Sequence, residues 1–140
     1  MEEIIVRIPA RHKGLVAAVM ALVEHVADFE REAPRQRSVD YRVHEATLAA
    51  DAAAIEREAH GVSLGALDVK AERIRINGVA YTRVVTAETA AYKTRVGPVP
   101  VSRGLFRRDG ARNAKTVNTV TLRSGAIEDE WLPGAAAAMA

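Results

Sequence analysis

The chain contains no cysteine, which excludes a disulfide framework, a thiolate zinc site and a cysteine nucleophile. Aromatic residues make up only 4% of its 140 positions, and much of the 49% hydrophobic fraction is alanine, so large side chains for a core are scarce. Long apolar runs are also missing. The longest, Leu15 to Val23, is too short to span a bilayer and ends in Glu24 and His25. The segment from Met1 to Arg11 mixes charge with Ile4, Ile5 and Val6, which is not the pattern of a signal peptide. These features predict a soluble, cytoplasmic protein. No glycine-rich phosphate loop is present, and Ser38, Ser63, Ser102 and Ser124 lie in no nucleophile-elbow context. The four histidines, His12, His25, His44 and His60, match no helical metal-ligand spacing. Glu56 and His60 stand four apart, the distance of an ordinary contact along one helix face. Glu128-Asp129-Glu130 reads as a solvated acidic turn, or as a cap for the helix that Pro133 opens. No enzyme site, cofactor or metal is expected.

What the chain does have is a charge asymmetry. Between Lys70 and Arg123 it places twelve Lys or Arg against Glu72, Glu88 and Asp109, a net of +9. The overall charge is +2, so the flanks carry −7. A basic middle between acidic flanks points to a polyanionic partner, with nucleic acid the first candidate.

The elements follow from periodicity. Leu15, Val19, Leu22, Val26 and Phe29 recur in steps of four and three, widened by Val16 and Val23, and predict a helix from about Lys13 to Arg31. Pro34 stops it. A second helix begins near Ser38 or Asp40, either of which can cap it, and runs to about His60 with Gly61 as a left-handed cap. Its stripe of Tyr41, Leu48, Ala52, Ile55 and Ala59 is narrow and suits an antiparallel pairing with the first helix. A short helical turn is expected over Ser63 to Val69.

From Glu72 the period becomes two. Asn77-Gly78 predicts a type I′ hairpin that sets Ile76 opposite Val79 and Ile74 opposite Tyr81 on one face, with Arg75 opposite Ala80 and Arg73 opposite Thr82 on the other. A second hairpin is expected from about Ala90 to Arg107, with Gly97-Pro98 at its tip, Val96 facing Val99, and Lys93 and Arg95 on the basic side. A basic turn over 107–112 and an extended segment from Ala114 to Leu122 follow. The fold class is thus α+β: an antiparallel helical hairpin over 1–64, a basic antiparallel sheet of about four strands over 65–124, and an acidic turn with the opening of a helix over 125–140. Pleating should give the sheet one continuous cationic face. Arg73, Arg75, Lys93 and Arg95 on that face, extended by Arg107, Arg108, Arg112 and Lys115, are the candidate phosphate contacts. Tyr81 and Tyr92 fall on the apolar face, which favours duplex DNA over stacked single strands.

The runs Ile76-Asn77-Gly78-Val79-Ala80-Tyr81-Thr82-Arg83-Val84, 91–107 (Ala91-Tyr92-Lys93-Thr94-Arg95-Val96-Gly97-Pro98 onward) and 110–117, with Val120-Thr121-Leu122-Arg123-Ser124-Gly125 and Asp129-Glu130-Trp131-Leu132-Pro133, resemble the N-terminal region of bacterial insertion-sequence transposases of the Kra type. The resemblance covers about half of the chain. It implies a DNA-binding, non-catalytic part of a transposase, acting on transposon ends, whose ribonuclease-H-like catalytic domain is not within these residues. Many relatives carry Cys-x-x-Cys zinc knuckles near the hairpins, where this chain has Phe106-Arg107-Arg108-Asp109-Gly110, so no zinc is implied. A homodimer through the helices is also expected. The rival reading is a protein-interaction module built on the helices alone, with no nucleic-acid role.

Overall fold

The computed structural model describes residues 2–139, so Met1 and Ala140 lie outside the description. Two compact units form, 1–59 and 60–140. The boundary falls inside the second helix, and residues 125–139 join the sheet unit instead of standing apart from it.

The first unit is the expected helical hairpin. Helix α1 spans Lys13–Glu32, and α2 spans Tyr41–Gly65. A short 3-10 turn at Ala33–Arg35, holding Pro34, separates them. Asp40 caps α2, its Oδ1 accepting the Arg42 amide at 3.2 Å. Three contacts fix the antiparallel sense. Phe29 stacks on His44 at 3.9 Å, His25 Nδ1 lies 2.6 Å from Asp51 Oδ2, and a Cβ on Gly14 would meet Glu58 Oε2 at 2.6 Å. No residue of α1 is fully buried. Leu15, Leu22 and Phe29 of the predicted seam are half-buried, while Val19 and Val26 are exposed.

Gly61 does not end α2. The helix continues to Gly65 and absorbs the front of the short turn expected at Ser63 to Val69. A Cβ on Gly61 would sit 3.4 Å from the Val99 side chain, so the glycine serves close approach of the helix end to the sheet, not termination.

Three strands form the sheet, in order β1-β2-β3: β1 Arg73–Ile76, β2 Val79–Thr94 and β3 Gly97–Arg108, all antiparallel. The count is three and not about four because the 16-residue β2 serves both hairpins. In the first hairpin Asn77 and Gly78 both take positive φ, 50° and 79°, and all four predicted pairs form. The second turn lies elsewhere. Arg95 and Val96 occupy it, Thr94 pairs with Gly97, and Tyr92 pairs with Val99 instead of lying opposite Arg103. The physical cause is Thr94. Its hydroxyl donates to the Gly97 carbonyl at 2.7 Å and accepts the Val96 amide at 3.2 Å, and Gly97 takes φ 111° beside it. The slip on β3 is an even number of residues, so Tyr92, Val99 and Val101 still share a face.

One larger expectation fails. Burial along β3 falls on Val99 and Val101, then on Gly104 and Phe106, so the buried phase switches from odd to even positions. Opposite this point β2 advances from Arg83 to Glu88 while β3 moves only from Phe106 to Arg103, which places two extra residues in β2. Such bulges sharpen the twist and exchange the face turned inward. By alternation Lys93 then lies on the side of the ribbon that further along bears Arg83 and Phe106, whereas Arg73 and Arg75 lie on the other. The sheet has no single continuous cationic face.

The core gathers Leu64, Tyr92, Val99, Val101, Val120 and Leu132, flanked by Leu67, Ala90 and Ala126. Of the segment expected to be extended, Val117 is, exchanging both backbone hydrogen bonds with Phe106 at 2.8 Å. Thr119–Ser124 is instead a helix, α3, because Asn118 caps it: its Oδ1 accepts the Thr121 amide at 2.7 Å. Helix α4, Pro133–Met139, opens on its proline as the sequence predicts.

Asn118 also accepts from the buried Tyr92 hydroxyl at 3.2 Å, so Asn118→Ala removes a cap and one hydrogen bond of the core tyrosine, which keeps Thr121 as a partner. The expected loss is about 2 kcal/mol in urea unfolding. An unchanged midpoint would contradict this account of α3.

Candidate functional site

Two of the twelve central cations are spent inside the fold. Arg83 is 9% exposed at its side chain and fully engaged. Its Nη1 donates to the Val69 carbonyl at 2.7 Å, its Nε and Nη2 donate to the Thr86 carbonyl, and its Nη2 reaches Asp68 Oδ2 at 3.2 Å. Asp68, 1% exposed at its side chain, also accepts from the Gly104 amide at 2.9 Å and from Lys70 at 2.8 Å. Burial opposes the charge on Asp68, but the bonds from Lys70, the Gly104 amide and Arg83 outweigh it and hold the carboxyl below its ordinary pKa. A Cβ on Gly104 would come within 2.2 Å of the Arg83 guanidinium carbon, so glycine there makes room for the arginine.

Arg103 is the second internal cation. It donates to Tyr92 Oη at 2.9 Å and pairs with Glu88 at 3.0 Å and Glu130 at 3.1 Å. Burial disfavours its charge, yet those bonds raise its pKa above the usual arginine value. Glu130 also accepts from Thr121, which is itself bonded to Tyr92, so the acidic run 128–130 is partly structural.

Of the other ten, Lys70 bonds Asp68 and Arg123 donates to the Leu67 carbonyl at 3.0 Å, and the remaining eight fall into two groups. At one end of the sheet Arg73 pairs with Thr82 on β2, and Thr82 with Arg107 on β3, so the two arginines flank one threonine across three strands. Asp109 joins this row, accepting from Arg73 and from the Thr82 hydroxyl. Those two bonds, Thr82 first, lower its pKa. A shallow hollow lined by Thr82, Arg107, Arg108, Asp109, Gly110 and Arg112 adjoins this row. A neighbouring hollow holds Arg73 and Arg75. Arg107 Nε donates to the Ala114 carbonyl at 3.2 Å, which draws the loop carrying Lys115 to the same end. Six of the eight predicted contacts, Arg73, Arg75, Arg107, Arg108, Arg112 and Lys115, therefore share one end of the sheet, with Asp109 and Glu72 as the acids of that region. Lys93 and Arg95 do not join them. Lys93 bonds the Asp129 carbonyl, Arg95 is an exposed turn residue, and Lys93 pairs with β3 nine residues away from the Arg107 that faces Thr82, roughly 30 Å along the ribbon.

Sequence reasoning missed Thr82 and Asp109. Strand alternation placed Thr82 beside Arg73, but nothing local announces that Asp109, 36 positions away, closes the row. Among the described residues no group of three His, Asp or Glu could hold a metal ion, and no helix is long and apolar enough to cross a membrane. No family model, curated protein or solved structure matches the chain.

Gly104→Ala should destabilise the second unit by about 1–3 kcal/mol in urea unfolding, since Arg83 must leave its carbonyls to admit the methyl group. Unfolding indistinguishable from the parent would sink that reading. In the helical unit the hydrogen bond that the His25 ring donates to the Asp51 carboxylate leads the causes that raise the His25 pKa above its ordinary value. A raised folded pKa stabilises fully below the unfolded value and loses that contribution as pH rises through the folded one. NMR titration should find His25 shifted upward, and Asp51→Asn should return it toward 6.5.

Proposed function

We propose that the chain binds duplex DNA through the basic end of its sheet, as the non-catalytic front part of an insertion-sequence transposase acting in the cytoplasm on transposon ends. The observation that carries the reading is convergence. Arg73 and Arg75 from β1, Arg107 and Arg108 from β3, and Arg112 and Lys115 from the following loop gather at one end, while Arg83 and Arg103 are committed internally. Phosphate binding needs several cations on one surface more than it needs an exact motif, because each neutralised phosphate releases condensed counterions. Asp109 orients Arg73 without cancelling the group. Thr82 supplies a hydroxyl of the kind that bonds phosphate oxygens. The order of hairpin motifs that resembles the Kra-type transposases supports the choice of DNA over other polyanions. Lys93 and Arg95, at the other end of β2, would touch DNA only as a separate contact.

Gel-shift titration with random-sequence duplex at two salt concentrations tests this. Affinity should fall steeply with salt, and Arg75→Glu with Arg108→Glu should weaken binding at least tenfold on any sequence, lowering the salt slope by about one per lost phosphate contact. Lys93→Glu should act less strongly. Binding that is absent, or insensitive to salt, would end the proposal.

A further inference from the structure

Helix α1 is apolar on two sides, and α2 covers only one of them. Leu15, Leu22, His25 and Phe29 lie on the side toward α2, where His25 meets Asp51 and Phe29 meets His44. At 100° per residue, the nearly opposite side carries Lys13, Val16, Met20, Val23, Ala27 and Glu30, with Val19 and Val26 along its margin. Met20 and Val23 are 47% and 50% exposed, Val19 and Val26 39% each. An apolar stripe more than 100° wide is the mark of a helix surface that packs, and a two-helix hairpin with no buried residue in α1 has nothing of its own to place there.

The stripe is complementary to itself. Turned end over end about a point between Ala21 and Leu22, it brings Lys13 of each copy against Glu30 of the other, Val16 against Ala27, and Met20 against Val23. Laid parallel, it would set Lys13 on Lys13 and Glu30 on Glu30. We infer that a second copy of this chain covers α1 in an antiparallel, two-fold arrangement, making a four-helix assembly from two hairpins. The charge pattern selects that orientation, and the apolar centre supplies the affinity. About eight residues a side is fewer than the 20–30 of a standard interface, so the dimer forms and dissociates with concentration. The inference is independent of DNA binding.

Sedimentation velocity on the whole chain without DNA, across micromolar concentrations, tests it. A concentration-dependent dimer is expected. Met20→Lys with Val23→Lys should make it monomeric while far-UV circular dichroism keeps its helical signal and melting transition, because both positions are exposed. Lys13→Glu alone, and Glu30→Lys alone, should each weaken the dimer about three- to tenfold, and the two together should restore it. A monomer at every concentration, a dimer indifferent to the Met20 and Val23 changes, or a double reversal that fails to recover association would each overturn the inference.

Discussion

The second unit depends on one buried ion pair and the glycine that makes room for it. Asp68 leaves the end of α2, Arg83 sits at the first bulge of β2, and Gly104 marks the place where β3 changes its buried face. Arg83 fills the space a side chain at 104 would need, and its donors satisfy the carbonyls of Val69 and Thr86. Asp68 ties the same point to the β3 backbone through the Gly104 amide. A buried pair of this kind is costly unless every donor and acceptor is met, and here the backbone meets nearly all of them. Breaking one partner would leave a charge in a dry place.

That lock explains the distribution of charge as much as it explains the fold. Cations that a composition count treats alike have separate tasks. Arg83 and Arg103 hold bulged strands and the acidic 128–130 turn, Lys93 fastens that turn to β2, and the cluster around Thr82 is left facing solvent with one orienting carboxylate. A long twisted ribbon can do this because exchanging the inward face halfway lets each hairpin bury its own apolar side. The consequence for binding is that a partner meets a compact basic end, not a stripe along the whole sheet.

The helical unit poses the opposite problem, an excess of apolar surface over partners. Its internal contacts are few and specific: an aromatic stack, a histidine–aspartate bond, a glycine at the closest crossing. They fix the antiparallel sense without closing a core, since two helices alone can shield only one side of each other.

Local chemistry determined much of this molecule from sequence alone. The extent of α1, the opening of α4 at Pro133, the start of α2 near Ser38 or Asp40, the Asn77-Gly78 turn and every pair of the first hairpin follow from interactions spanning a few residues, where propensity and register act directly. Tertiary structure decided what depends on partners far along the chain. Gly61 could not be known as a close-approach residue without Val99 nearby, nor α3 as a helix in a segment that reads as extended from Val117, Val120 and Leu122. The same holds for the basic surface. Alternation in a short strand assigns each arginine a side, but two extra residues in β2 exchange the sides, and only the buried demands of Asp68 and Phe106 reveal where that exchange occurs.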